Sequence, residues 1–164
     1  MRRILGIDPG KDGALVLLHM HGERVEDHLA VKLAPIVAGK RWEAVHTLVA
    51  GEIRAMHAAY PLDLAVLELH AGRPGEGGGS ARTIGVGWGL ILGILSGLGV
   101  RVIIPTAQTW QKVMLADLAG EGKERAITLC QQRVPGLDLI PARGRVPHSG
   151  LADAACLALY GASR

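Results

Sequence analysis

Three acidic residues, two at the ends of apolar strand-like runs and one in a helical pattern, could together form a composite cation site. Asp8 closes the apolar run Ile4-Leu5-Gly6-Ile7 and is followed at once by Pro9 and Gly10. Glu68 lies near the end of a second apolar run, Leu62 to Leu69. Asp153 falls inside HSGLADA, residues 148–154, in the first turn or so of an apolar helical pattern. A strand that buries its body and ends on an acid puts that acid on the sheet rim, where metal and phosphate chemistry often sits in α/β folds. Carboxylate oxygens suit Mg²⁺. Two divalent ions about 3.5–4 Å apart can activate water and stabilise the added charge in phosphodiester hydrolysis. His148 and Ser149 precede the third acid, and a neutral imidazole can serve as ligand or base. Each residue also has a plainer reading. Asp8 could simply open an Asp-Pro-Gly turn. Asp153 could be a favourable charge near a helix N-terminus. His148 could contact a phosphate or solvent.

The elements that would position these residues follow from periodicity. Arg3–Asp8, Gly13–Met20 and Val25–Val31 read as a meander of three strands, the last an edge. Val45, Leu48, Val49, Ile53 and Met56 recur at helical spacing within Trp42–Ala59, and Pro61 ends that helix. Leu62–Leu69 reads as a parallel strand covered on both faces. His70–Ser80 (HAGRPGEGGGS) is a glycine loop suited to handling a substrate or merely to connecting. Ser80 could cap the apolar helix that runs to about Leu98. In that helix Gly89, Gly93 and Gly97 share one face, for close approach to the sheet or to a second subunit. Val100–Ile104 is a fifth strand. Helices follow over Pro105–Leu115 and Lys123–Val134, then a loop over 137–148, then a last helix with Ser149 as its cap. Antiparallel strands followed by β-α-β units predict a mixed five-stranded sheet with helices on both faces, an α/β arrangement of ribonuclease-H-like type.

A length of 164 residues, 49% of them apolar, suits a single domain over 1–164 and excludes a disordered chain. Phe is absent, so the core must be aliphatic. Net charge is +3, mildly favouring a polyanionic partner. Arg143 and Arg145 could grip backbone phosphates beside the third acid, or be solvated surface charges. Cys130 and Cys156 lack metal-ligand spacing and read as buried thiols of a reducing compartment. The apolar run before Asp8 is too short for a signal peptide. Ile84–Val100 carries no charge but is broken by six glycines, so a buried helix explains it better than a membrane span. Trp42, Trp88 and Trp110 read as packing residues.

Taken in order, several stretches form one set. They are ILGIDPG (4–10), VLEL (66–69) with PGEGGGS (74–80), Gly85 with Gly89, Pro105 with Trp110, the Lys123 helix with VPG (134–136), and HSGLADA (148–154). The set resembles the RuvC-type Holliday-junction resolvases, in particular their phage-like branch, over nearly the whole chain. LGIDPG alone also begins sugar kinases and chaperone ATPases, but this chain is too short for their two-lobed architecture. The resemblance implies a ribonuclease-H-like homodimer that cuts four-way DNA junctions by paired, metal-dependent nicks, a crossover junction endodeoxyribonuclease. It implies that Asp8, Glu68 and Asp153 bind Mg²⁺ or Mn²⁺, two ions per site. The family's further acid falls where this chain has Ser149, leaving His148 to supply a ligand or base. Lys123 matches a basic residue important for DNA or catalysis, and Lys112 lies near another. Arg73 and Arg82 flank the glycine loop, where relatives engage the junction centre. Such an enzyme would work in the cytoplasm of a bacterial or phage-infected cell. The Ser149 departure also allows a junction binder with weakened cleavage. A related nuclease acting on RNA is the other alternative.

Overall fold

The computed structural model describes residues 1–10, 12–33, 42–69, 78–140 and 145–164, with the backbone alone described at 42–47 and 78–84. Its strands are β1 (Arg2–Asp8), β2 (Ala14–His21), β3 (Arg24–Lys32), β4 (Leu64–Leu67) and β5 (Val102–Ile103). Its helices are α1 (Trp42–Ala59), α2 (Gly78–Gly97), α3 (Ala107–Met114), α4 (Lys123–Arg133) and α5 (Ser149–Ala162). The sheet order is β3-β2-β1-β4-β5. The first three strands are antiparallel, and β4 and β5 join parallel. This is the mixed five-stranded sheet predicted, with β3 at an edge. The two parallel strands are shorter than predicted, and Glu68 lies one residue past β4.

Side-chain alternation divides the core into two layers. Ile4, Val16, Leu18, Leu64 and Val66 face α5, which packs with Trp110 of α3 and with Ala126, Leu129 and Cys130 of α4. Leu5, Ile7, Leu15, Leu17, Ala65 and Leu67 face the other way, onto Val49, Ile53 and Met56 of α1 and Ile91 and Leu95 of α2. Helices therefore cover both faces. The first layer owes its closeness to small residues. A Cβ at Gly6 would run into the carbonyl oxygen of Ala154 and stand 2.6 Å from the Ala158 nitrogen. So α5, buried from Gly150 to Gly161 except at Asp153, lies directly on β1.

Three expected helix starts are corrected. α2 begins at Gly78, which places Ser80 inside the helix and not at its cap. Thr106 caps α3, its side chain accepting from the Thr109 N–H at 3.2 Å. α5 is capped by His148, whose Nδ1 accepts from the Leu151 N–H at 3.2 Å, and Ser149 is the first helical residue. Asp153 is thus the fifth residue of α5, beyond the first turn. That weakens its reading as a mere dipole charge, because the effect is confined to the first turn. No helix among the described residues is long and apolar enough to cross a membrane. The glycines of α2 do not serve contact with the sheet: among the described residues, a Cβ at Gly85, Gly89, Gly93 or Gly97 would meet nothing within 4 Å.

Candidate active site

Strand register brings the first two acids together. β1 and β4 are parallel neighbours with Ile7 opposite Leu67, and the Glu68 N–H donates to the Ile7 carbonyl at 3.1 Å. Asp8 and Glu68 are the next pair along, on adjacent chains roughly 4.8 Å apart. Alternation then puts both on the face of Gly6 and Val66, which is the face α5 covers. α5 supplies the third acid from above: Asp153 precedes Ala154, whose carbonyl closes on Gly6.

Asp8 is fixed by the turn that follows it. Its Oδ1 accepts from the Gly10 N–H at 2.9 Å, and the Gly13 N–H donates to the Gly10 carbonyl at 2.9 Å. The turn reading of Asp8 is therefore correct, and it coexists with a place in an acidic cluster. Burial raises the Asp8 carboxyl above its ordinary value, while the Gly10 hydrogen bond and then the charges of His148 and Lys123 pull it down. Asp153 is pushed up to about 7, first by burial and then by the negative charges of Asp8 and Glu68, with Lys123 opposing. Among the described residues no group of three or more His, Cys, Asp and Glu is gathered closely enough to hold a metal ion as it stands. The carboxylates are near enough to repel one another, yet they do not converge.

Glu68 is held by two tryptophans that sequence reasoning assigned to packing alone. The Trp110 indole donates to Glu68 Oε2 at 2.8 Å. The Trp88 indole donates to the Glu68 backbone carbonyl at 2.9 Å. An indole N–H must find an acceptor when buried, and that was the available signal.

Two neighbouring positions on α5 divide differently than expected. Ser149 turns its hydroxyl to Lys123, whose Nζ lies 3.2 Å from Oγ. It is Gly150, three residues before Asp153, that faces Asp8. A Cβ there would stand 3.1 Å from Asp8 Oδ2 and would run into the Asp12 carbonyl oxygen. An acid three residues before Asp153 therefore has no room. Lys123 opens α4, where a cation opposes the helix dipole. Its contact with Ser149 and its effect on Asp8 and Asp153 account for that placement. His148 has committed Nδ1 to the cap, so a neutral ring carries its proton on Nε2 and presents a donor. Acting as ligand or base would require the ring to release the Leu151 N–H.

Of the remaining basic candidates, two have described side chains. Lys112 is exposed on α3, and Arg145 is exposed ahead of α5. Arg82 lies in α2 with its side chain outside the described residues, and Arg73 and Arg143 lie outside them altogether.

No protein-family model matches this chain, and no curated protein does. Solved structures do. The chain is similar to T. thermophilus RuvC in complex with a Holliday junction substrate, with 18% identity and a TM-score of 0.70, over 98% of this chain and 92% of that one. It is similar to the yeast mitochondrial Holliday junction resolvase Ydc2, at 11% identity and TM-score 0.66, over 98% and 78%. A fowlpox virus resolvase in complex with junction DNA matches at 12% identity and TM-score 0.51, over 98% and 97%. The fold is thus α/β of the ribonuclease-H class. Within that class it is the fold of RuvC and other Holliday junction resolvases.

Proposed function

We propose that this chain is a divalent-metal-dependent endonuclease that resolves four-way DNA junctions by paired nicks. The observation that carries the proposal is that Asp8, Glu68 and Asp153, from β1, the end of β4 and α5, lie near enough on one side of a resolvase-type sheet for Asp8 and Glu68 to raise the Asp153 carboxyl. Hard carboxylate oxygens fit Mg²⁺ or Mn²⁺. The burial and repulsion that raise Asp153 to about 7 are what a bound cation would relieve. Asp8, Glu68 and Asp153 would hold the ion or ions, drawing together acids that like charge keeps apart. The metal would lower the pKa of an attacking water and neutralise developing phosphoryl charge. Lys123, tied to Ser149, adds positive charge beside Asp8 and Asp153. His148, presenting Nε2–H, donates to a phosphate oxygen. Lys112, Arg145, Arg73, Arg82 and Arg143 contact backbone phosphates, which position DNA without reading its sequence.

Paired nicks call for two copies of the chain. The open face along Gly85, Gly89, Gly93 and Gly97 of α2 supports a homodimer, because bare glycines let two helices approach closely. A second reading, a junction binder with weakened cleavage, draws on the lack of room for an acid at Gly150 and on the engagement of Ser149 by Lys123. Cleavage of a labelled mobile four-way junction with Mg²⁺ and with Mn²⁺ separates the two. Symmetric nicks that vanish in Asp8→Asn while binding persists are expected. Binding without nicks in either metal favours the second reading, and preference for an RNA hairpin over the junction refutes both.

A further inference from the structure

Glu68 is gripped at both its backbone and its carboxylate by indole groups from different helices. Trp110 is fully buried, and its Nε1–H reaches Oε2 at 2.8 Å. Trp88 reaches the Glu68 carbonyl from α2 at 2.9 Å. The segment that carries Trp110 is itself tied to the segment that carries Glu68. The Leu69 N–H donates to the Pro105 carbonyl at 2.8 Å, and Leu69 bridges Thr106 in parallel. Thr106 then caps α3, and Trp110 lies one turn further on. Chain, cap and helix so form a closed circuit from the Glu68 backbone round to its own carboxylate.

We propose that Trp110 is a positioning residue that holds the Glu68 carboxylate in its ion-binding orientation. An indole N–H is a donor only, so it holds a carboxylate oxygen as acceptor and cannot exchange roles. A bond to a carboxylate oxygen is of the strong, charge-assisted kind. Anchoring Oε2 on an immobile ring sets the direction of Oε1. Because the ring is enclosed by the core, the carboxylate is aimed before any ion arrives, which spares the cost of ordering it on binding. Trp88 complements this by fixing the backbone from which the side chain springs.

The inference rests on the carboxylate site being a divalent-ion site, and the experiment separates the two. Mg²⁺ or Ca²⁺ is titrated into the intact protein and followed by calorimetry and by tryptophan fluorescence. The titration is repeated with Trp110→Phe and with benzothienylalanine at position 110, which keeps the bicyclic ring and puts a sulfur, unable to donate, in place of the N–H. Partners of metal ligands typically change ion affinity or activity by 10–100-fold. The benzothienyl protein is expected to fold, to melt somewhat below the parent for want of that bond, and to bind the ion at least about 10-fold more weakly. Its kcat for junction cleavage should fall while KM stays constant. Uptake of ion by the parent with unchanged affinity and kcat in the benzothienyl protein overturns the role of Trp110 alone. No uptake by the parent overturns the ion-site reading, and the positioning role with it. Should Trp110→Phe fail to fold, the benzothienyl protein still decides.

Discussion

Replacing Asp153 with asparagine should stabilise the ion-free protein while destroying its activity. In the fold this carboxyl ionises at about 7 against an ordinary 3.8. Between those values the native chain holds a proton that the unfolded chain has lost. Stability therefore falls as pH rises through that window and levels off above about 7. Each pKa unit is worth about 1.4 kcal/mol, so ionising Asp153 in the fold costs on the order of 4 kcal/mol. Asp153 is partly accessible, and solvent screening reduces the figure to about 2–4 kcal/mol. The amide of the Asp153→Asn variant never ionises, so the gain should appear in full at pH 8 and fall to about a quarter of that at pH 4.5. Urea unfolding with a chelator present, at both pH values, measures it as a shift in midpoint at constant slope. Mg²⁺ should then raise the parent's stability through mass action and leave Asp153→Asn much less affected. A variant less stable than the parent at pH 8, or a difference equal at both pH values, would refute the argument that burial and the two neighbouring acids strain Asp153.

Two further outcomes are expected from the glycines. Gly150→Ala should cost about 1–3 kcal/mol in thermal unfolding, because its Cβ has only the Asp12 carbonyl and the Asp8 carboxylate to displace. It should also slow cleavage by moving Asp8. Gly93→Leu, whose site is open within the chain, should leave the monomer's stability nearly unchanged and weaken self-association; unchanged sedimentation would reject the α2 face as the dimer contact.

Much of the fold was legible because burial imposes periods that a sequence must display. The apolar runs of β1 and β2, the helical spacing in α1, and Pro61 as a stop each needed only neighbours along the chain. Boundaries shifted where the deciding partner was distant. β5 shrank to Val102–Ile103 because its pairing is limited to Ala65 and Val66. α5 started at Ser149 because the His148 ring, not the serine hydroxyl, reached the Leu151 N–H. Both Ser and His bear acceptors, and chain order does not say which one points inward.

The acids themselves belong to the sequence. Asp8 and Glu68 each directly follow an uninterrupted apolar run, so a parallel pairing of those runs with Ile7 opposite Leu67 puts both on one face. What sequence could not settle is rotational phase. Successive residues of a helix point about 100° apart, so one position decides whether a side chain meets Asp8 or Lys123. Periodicity locates the buried stripe of α5 but not its angle to the β1–β2 turn. That angle is decided by the contact of Gly6 with Ala154, which turns Gly150 to Asp8 and Ser149 to Lys123. The same holds for the tryptophans. Their spacing marks them as core, while their bonds to Glu68 depend on α2 and α3 closing over the end of β4 from separate parts of the chain.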